Sequence, residues 1–299
     1  MPGVAFQWEY SYMRSPRVSG VLLFCLLLTS GAFVLAQPAA EPKPYEPEVG
    51  QQGKDVVWVP TADALVEKML DLADVTSRDH VIDLGSGDGR TVIAAARRGA
   101  RALGIEYNPD MVALSRRNAE KAGVTKRATF VQADLFKTDL SRATVITMFL
   151  LPEINIKLRP TLLGLKPGTR IVSNSFSMED WEADKRAVVE GEDAGCSSWC
   201  TALLWIVPTK VEGTWRLPDG ELVLTQKFQM ISGRLGKAPI SKGRLRGTEI
   251  SFFVGKDRYS GNVRANSMWG TVTTGGTSRT WAATRTDPQR ASRQGTRPN

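Results

Sequence analysis

A glycine-rich run follows the first apolar segment in the centre of the chain. Residues 80–84 predict a short strand, and Gly85, Gly87 and Gly89 come directly after it, with Arg90 next. Glycines let a backbone turn sharply and approach a ligand closely. A dinucleotide fold requires G-x-G-x-x-G, which would place glycine or alanine at position 90. The observed spacing favours a ligand smaller than a dinucleotide, lying across the loop. A tight strand-to-helix turn without any ligand has the same spacing.

Acidic side chains end the next two predicted strands. Glu106 ends one strand, where its carboxylate can accept two hydrogen bonds from a ribose diol. Asp134 follows the other, where it can accept from an exocyclic amine while Leu135 packs on a base. Each carboxylate alone also suits a solvated loop or a turn cap. Together with the glycines, these features at three successive strand ends indicate an adenosine-bearing ligand.

The elements that must position these residues alternate between strand and helix. Helices are predicted from Thr61 as N-cap, from Arg90, from Asn108 as N-cap with Pro109 at the first helical position, and from Pro152. Apolar segments predict strands over residues 80–84, 102–106, 128–132, 144–149 and 169–174. This alternation predicts the α/β class, with a doubly wound, Rossmann-like parallel sheet. Ligands bind such sheets at the carboxyl ends of the strands, where the strand order reverses.

The pattern of the chain changes towards its C-terminus. Residues 186–190 and 202–207 predict a strand pair that closes the sheet. From Val211 onward, short alternating segments at a spacing of about 8–12 residues predict a small all-β antiparallel barrel or sandwich. No catalytic constellation is visible there. Substrate recognition, dimerisation, envelope binding and simple stabilisation all remain open for this region.

The N-terminal residues 1–36 predict a signal peptide. Residues 18–36 carry no charge, follow Arg14 and Arg17, and end in a small-residue cleavage site at Ala36. Cleavage predicts a periplasmic or secreted protein, and the alternative is a membrane anchor formed by residues 18–36. The expected domains are a Pro-rich linker over 37–54, an α/β domain over 55–208, a β domain over 209–285 and a loose tail over 286–299.

Composition excludes several classes of function. The 299 residues have room for two domains and carry a net charge of +8. Residues 1–36 contribute +1 and residues 285–299 contribute +3, which leaves a net charge of +4 for the residues between them. A charge this small over so long a stretch predicts a mixed surface and no nucleic-acid partner. The single histidine, His80, predicts no metal site. Cys196 and Cys200 predict a disulfide in an oxidising compartment, with half a metal site as the alternative.

Residues 58–181 resemble class I S-adenosylmethionine-dependent methyltransferases. The resemblance narrows to the branch of protein-lysine methyltransferases that modify adenine nucleotide translocase and the ATP synthase c subunit, together with their bacterial relatives. It rests on the segments Trp58–Thr61, Val81–Arg90, Gly104–Pro109, Ala133–Leu135 and Phe149–Pro152. It covers about two fifths of the chain and does not include the β domain.

The resemblance implies S-adenosylmethionine as cofactor and assigns residues to it. Asp83 and the three loop glycines would shape the methionine side, Glu106 would hold the ribose, and Asp134 would hold the adenine end. The segment from Trp58 to Thr61 would fold over the cofactor. The complete expected set is Trp58, Pro60, Thr61, Asp83, Gly85, Ser86, Gly87, Gly89, Glu106, Asn108, Asp134 and Leu135.

The methyl-acceptor pocket is expected after the fourth strand, at Phe149, Leu150, Leu151 and Pro152. Related enzymes that modify nucleic acids or glutamine carry a polar residue there, and this chain does not. Its absence favours an aliphatic amine, and hence a protein lysine, although the four residues also fit a buried strand end. No catalytic residue is assigned. The alternative function is an exported, non-enzymatic binding protein that retains the fold and uses its β module.

Overall fold

The computed structural model describes residues 45–190, 195–196, 198–218 and 220–286. The segment expected to be a signal peptide or anchor lies outside the described residues, as do residues 37–44 of the linker and residues 287–299 of the tail. No helix within the described ranges is both long and apolar enough to cross a bilayer.

The first part of the described chain is a seven-stranded sheet flanked by helices, which confirms the predicted α/β class. The sheet order is β3-β2-β1-β4-β5-β7-β6, with β1 to β5 parallel and β7 antiparallel to both of its neighbours. The helices are α1 (Asp63–Leu72), α2 (Arg90–Arg97), α3 (Pro109–Lys121) and α4 (Pro152–Leu163). The strands are β1 (His80–Leu84), β2 (Arg101–Glu106), β3 (Ala128–Gln132), β4 (Val145–Met148), β5 (Arg170–Asn174), β6 (Lys185–Val188) and β7 (Thr201–Ile206).

The strand order reverses between β1 and β4, next to the glycine run. From β1 the chain moves outward through β2 and β3, and then returns to pair β4 with the other side of β1. Because these strands are parallel, their carboxyl ends meet at one edge. The sheet therefore brings the end of each predicted strand to the same cleft.

A side-chain cap begins α3 but not α1. Asn108 caps α3 as predicted, because its side-chain oxygen accepts from the N–H groups of Asp110 and Met111. The predicted cap of α1 is wrong: Ala62 is the N-cap residue and makes no side-chain cap bond. The hydroxyl of Thr61 instead accepts a hydrogen bond from Asn174 at 3.3 Å, which ties the start of α1 to the end of β5.

Apolar packing holds the sheet on both faces. One cluster joins α1, α2 and α3 to the sheet, with Leu65, Leu70 and Val92 fully buried. A second cluster on the other face includes Trp181 and Trp205, whose rings lie 6.2 Å apart. These two layers fix the strands whose ends form the cleft.

The C-terminal part is a closed eight-stranded barrel. Of the two architectures predicted for this region, the barrel is therefore confirmed and the sandwich is excluded. The order is β10-β11-β12-β13-β14-β15-β8-β9. Closure depends on pairing of β15 with β8, where Thr284 lies opposite Arg216. The strands are β8 (Gly213–Leu217), β9 (Gly220–Lys227), β10 (Met230–Leu235), β11 (Ala238–Arg246), β12 (Glu249–Val254), β13 (Asp257–Arg264), β14 (Ser267–Thr274) and β15 (Thr277–Arg285). Aromatic rings fill the interior, with Phe252 stacked on Tyr259 at 4.8 Å.

The β9–β10 turn docks the barrel onto the sheet domain. The Phe228 ring stacks on Trp181 at 5.8 Å, and the Gln229 side chain donates to the Glu182 carbonyl at 2.7 Å. Arg244 on β11 pairs with Asp184 at 2.6 Å. This mixture of apolar, hydrogen-bonded and ionic contacts places the barrel against the second apolar cluster, away from the glycine run.

The net charge is distributed unevenly between the two parts. Residues 209–286 contain 13 lysines and arginines against 5 aspartates and glutamates, whereas residues 37–208 carry a net charge of −3. The whole-chain average of the charge therefore hides a basic barrel joined to a slightly acidic sheet domain.

Candidate functional site

A cleft opens at the carboxyl ends of β1 to β4 and collects most of the predicted site residues. Gly89 and Pro152 do not line it. Gly89 is the N-cap of α2, where an added Cβ would lie 2.8 Å from Phe130, and Pro152 is the first residue of α4. The predicted residues that line the cleft are Trp58, Pro60, Thr61, Asp83, Gly85, Ser86, Gly87, Glu106, Asn108, Asp134, Leu135, Phe149, Leu150 and Leu151.

The glycine loop adopts a backbone conformation that favours glycine. Gly85 and Gly87 have φ angles of +74° and +53°, in the left-handed region. The N–H groups of Gly85 and Ser86 both donate to the Ile105 carbonyl, which fixes the loop to β2. A Cβ added at Gly87 would lie 2.7 Å from the indole nitrogen of Trp58. The absence of a side chain at position 87 therefore lets Trp58 lie directly on the loop.

Replacing Gly87 by alanine is expected to lower stability by more than its backbone strain alone, because the new Cβ also displaces Trp58. Gly123→Ala is the matched control, since Gly123 has a φ of +68° and, among the described residues beyond its chain neighbours, none has an atom within 4 Å of an added Cβ. An alanine in the left-handed backbone conformation costs roughly 1–2 kcal/mol relative to glycine, and this cost applies to both variants. Urea unfolding should show a larger loss for Gly87→Ala. Equal losses of unfolding free energy in the two variants would mean that displacing Trp58 does not affect stability.

Glu106 is held in place by backbone donors on both carboxylate oxygens. The Gly87 N–H donates to Oε2 at 3.0 Å, while Tyr107 and Asn108 donate their N–H groups to Oε1 at 2.8 and 2.9 Å. Charge-assisted bonds of this kind are short and directional. The carboxylate therefore bridges the glycine loop and the start of α3, and it lines the cleft at the end of β2.

Asp83 lies beneath the loop and is almost fully buried, with 6% of its surface exposed. Burial raises the pKa of its carboxyl group to about 7, against the opposing effect of a 2.6 Å hydrogen bond from the Thr147 hydroxyl. The nearby Glu106 and Asp88 carboxylates raise the pKa further. Asp83 is thus a carboxyl group that titrates near neutral pH at the edge of the cleft.

Asp134 is paired with a lysine that the sequence did not single out. Its carboxylate accepts from the Phe136 N–H at 2.9 Å and from Lys54 Nζ at 3.0 Å, and these two bonds hold its pKa below the usual value. Lys54 also lies 4.7 Å from the centre of the Tyr107 ring. An isolated bridge between Gln52 and Val57 closes the turn that carries Lys54, so the segment before Trp58 spans the cleft.

Arg90 connects the cleft-covering segment to the glycine loop. Its guanidinium group binds the Asp88 carboxylate through two nitrogens, at 3.1 and 2.7 Å, and donates to the Thr61 carbonyl at 2.8 Å. The arginine that distinguishes this loop from a dinucleotide motif therefore fixes the chain from Trp58 to Thr61 at one end.

Aromatic rings form the opposite wall of the cleft. Phe149, at the end of β4, stacks on Phe176 with ring centres 5.9 Å apart and lies 5.9 Å from the Trp199 ring. Leu150 is buried and Leu151 is exposed. Trp181, which like Phe176 follows β5 in the chain, lies fully buried in the second apolar cluster.

Trp199 is a second cleft residue, besides Lys54, that the sequence did not single out. It lies in the connection between β6 and β7, where Cys196 and Cys200 form a disulfide around it. The only signal was its position inside the C-x3-C pair. No group of His, Cys, Asp and Glu side chains that could hold a metal ion occurs within the described parts of the chain.

The comparisons with known proteins agree with this geometry. The ANTKMT methyltransferase domain matches residues 83–185. A protein-lysine N-methyltransferase from Saccharolobus islandicus is 41% identical over 155 residues, which cover 51% of this chain and 94% of that protein. The lysine N-methyltransferase of the ATP synthase c subunit from Mus musculus is 39% identical over 108 residues, which cover 36% of this chain and 44% of that protein.

Among solved structures, an RNA methyltransferase from Salinibacter ruber in complex with S-adenosyl-L-homocysteine is 48% identical, with a TM-score of 0.48. The match covers 51% of this chain and 96% of that one.

The sheet order and the glycine loop are those of a Rossmann-like methyltransferase. The similarity to the archaeal protein extends over nearly its whole length. The chain belongs to the S-adenosylmethionine-dependent methyltransferases, in the branch of the ANTKMT domain and its lysine-modifying relatives. The barrel lies outside the matched domain.

Proposed function

We propose that this protein transfers a methyl group from S-adenosylmethionine to the ε-amine of a protein lysine. The observation that carries the proposal is the arrangement of the cleft. A glycine loop and the oriented Glu106 carboxylate form one side, and the aromatic wall at Phe149 forms the other. The lysine-modifying activity named for the archaeal and mouse relatives supports the same class of acceptor.

The cleft residues fit an adenosine-bearing cofactor. Gly85 and Gly87 line the cleft with bare backbone, and they are packed so closely that an added Cβ would lie 3.1 Å from Leu150 or 2.7 Å from Trp58. Glu106 keeps one carboxylate lone pair, on Oε2, for a ribose hydroxyl, while Asp134 can accept from an exocyclic amine beside Leu135. We assign Asp83 and the glycine loop to the methionine side of the cofactor, because they line the cleft as the resemblance implies.

The chemistry places few demands on the protein. S-adenosylmethionine, when bound, supplies a methyl group whose leaving group is a neutral thioether that needs no acid. The chain contributes orientation, which can lower a barrier by about 7–11 kcal/mol. The aromatic wall keeps water from the acceptor and favours the neutral, nucleophilic form of an amine over the ammonium form. No side chain needs to act as a nucleophile.

Two measurements on the full-length protein test this proposal. Calorimetric titration should show micromolar binding of S-adenosylmethionine and S-adenosylhomocysteine. Incubation with a lysine–alanine copolymer should then add 14 Da per methyl group to lysine, faster at higher pH because more of the amine is neutral. An RNA of mixed sequence is the control acceptor. Absence of cofactor binding would favour the non-enzymatic alternative, and methylation of the RNA alone would reject lysine as the acceptor.

A further inference from the structure

Trp199 occupies a position that folding alone does not explain. Its surface is 46% exposed, and its φ angle of +54° places it in the left-handed region. That conformation is uncommon for a bulky residue, and such strain concentrates at functional sites. A buried tryptophan stabilises a core, but an exposed one in a strained loop gives up that benefit.

The ring of Trp199 extends the aromatic wall. It lies 5.9 Å from Phe149 at an interplanar angle of 59°, and Phe149 in turn stacks on Phe176. All three residues line the cleft. Phe149 and Phe176 are half-buried, so Trp199 is the outermost and most accessible of the three rings.

The disulfide connects the Trp199 loop to the sheet. Cys200 lies next to β7, and its carbonyl accepts a hydrogen bond from the Val189 N–H at 2.9 Å. The adjacent Thr201 carbonyl accepts from the Ser175 N–H at 2.7 Å. Cys196, at the other end of the loop, is held to this anchored point by the disulfide. The covalent bond therefore limits how far Trp199 can move from Phe149.

We propose that Trp199 is a specificity-determining residue for the methyl acceptor, held in place by the Cys196–Cys200 disulfide. This inference rests on the proposed function. During transfer the amine nitrogen forms a bond to the methyl carbon as the sulfur–carbon bond breaks. The positive charge passes from sulfur to nitrogen, and the resulting ammonium later loses a proton to water. The aromatic face of Trp199 packs on the alkyl chain of the lysine and orients its nitrogen for transfer.

Trp199→Ala should raise the KM for the lysine–alanine copolymer at least tenfold and leave the Kd for S-adenosylmethionine within twofold of the wild type. Trp199→Phe should recover most of the loss, because it restores an aromatic face. Trp269→Ala is the matched control, since Trp269 is also 46% exposed but lies on the barrel strand β14. It should leave both constants unchanged.

The disulfide is tested separately. The double variant Cys196→Ser, Cys200→Ser should show a raised acceptor KM with unchanged cofactor affinity, and dithiothreitol should move the wild type to the same values. The reductant should have no effect on the double variant, which controls for the third cysteine of the sequence, Cys25.

An unchanged acceptor KM in Trp199→Ala, with cofactor binding intact, would overturn the role of Trp199. An unchanged KM in the double variant would overturn the role of the disulfide. A wild type that does not bind S-adenosylmethionine would overturn the proposed function, and the inference with it.

Discussion

Glu106→Ala is expected to weaken S-adenosylmethionine binding by about 100-fold. The carboxylate is oriented by N–H donors from Gly87, Tyr107 and Asn108, and the lone pair that remains on Oε2 can accept a charge-assisted bond from a ribose hydroxyl. That bond contributes about 1.5–3 kcal/mol, which corresponds to about one to two decades in Kd. Alanine also releases the Gly87 N–H, which frees the glycine loop. Isothermal titration with the wild type and the variant measures the effect.

Two further variants separate this interpretation from general damage. Glu106→Gln keeps one acceptor oxygen and should lose about tenfold in affinity, between the wild type and Glu106→Ala. Asp139→Ala removes a carboxylate that also accepts a backbone N–H, from Ser141 at 2.9 Å, but lies outside the cleft. It should bind normally. Wild-type affinity in a folded Glu106→Ala protein would show that the ribose does not lie at this carboxylate.

Local sequence signals were sufficient for the elements around the cleft. The apolar run into Gly85 predicts β1 and its sharp turn, and the Asn108-Pro109 pair predicts the start of α3, because a strand end and a helix cap depend on adjacent residues. The carboxyl ends of parallel strands meet by geometry alone. Glu106 and Asp134 could therefore be placed at one cleft before any contact was known.

Contacts between distant residues could not be read in the same way. Lys54 and Asp134 are 80 residues apart, and no local pattern selects that lysine. Trp199 meets Phe149 because β7 is antiparallel to β5, so that the start of β7 lies at the same edge of the sheet as the end of β4. The N-cap prediction at Thr61 failed for a related reason. Its hydroxyl accepts from Asn174, 113 residues away, while α1 begins without a side-chain cap.

The barrel shows a third limit of sequence reasoning. Alternating strands separated by turns occur in sandwiches and barrels alike, so the pattern leaves both architectures open. Closure depends on a few pairs between the first and last strands, such as Arg285 opposite Trp215. Its basic character was hidden for a different reason: charge was averaged across a boundary between an acidic part and a basic part.

Asp83→Asn is expected to remove a loss of stability that the wild type shows as pH rises from about 4 to about 7. The buried carboxyl has a pKa of about 7 in the folded protein, against 3.8 for the ordinary group. Between these values the folded state binds a proton that the unfolded state has released, so the free energy of unfolding falls with increasing pH. At 1.36 kcal/mol per pKa unit, the total fall is about 4 kcal/mol.

The asparagine amide oxygen can still accept the Thr147 hydroxyl, so the variant keeps that contact and carries no charge. Urea unfolding at pH 4.5, 6 and 8 should show similar stability for the two proteins at the lowest pH and a more stable variant at the highest. All other titrating groups are shared, so the difference between the proteins isolates Asp83. A difference that does not change with pH would mean that the carboxyl titrates outside this range.

The same proton links stability to cofactor charge. Asp83 lines the cleft, and a cation bound nearby lowers the pKa of a carboxyl group. S-adenosylmethionine carries a sulfonium charge that S-adenosylhomocysteine lacks. Below pH 7 the wild type should therefore release more protons on binding the former, which calorimetry in buffers of different ionisation enthalpy detects. Asp83→Asn should release equal numbers of protons with the two ligands. If the difference between the ligands is the same in the variant as in the wild type, the sulfonium lies away from Asp83.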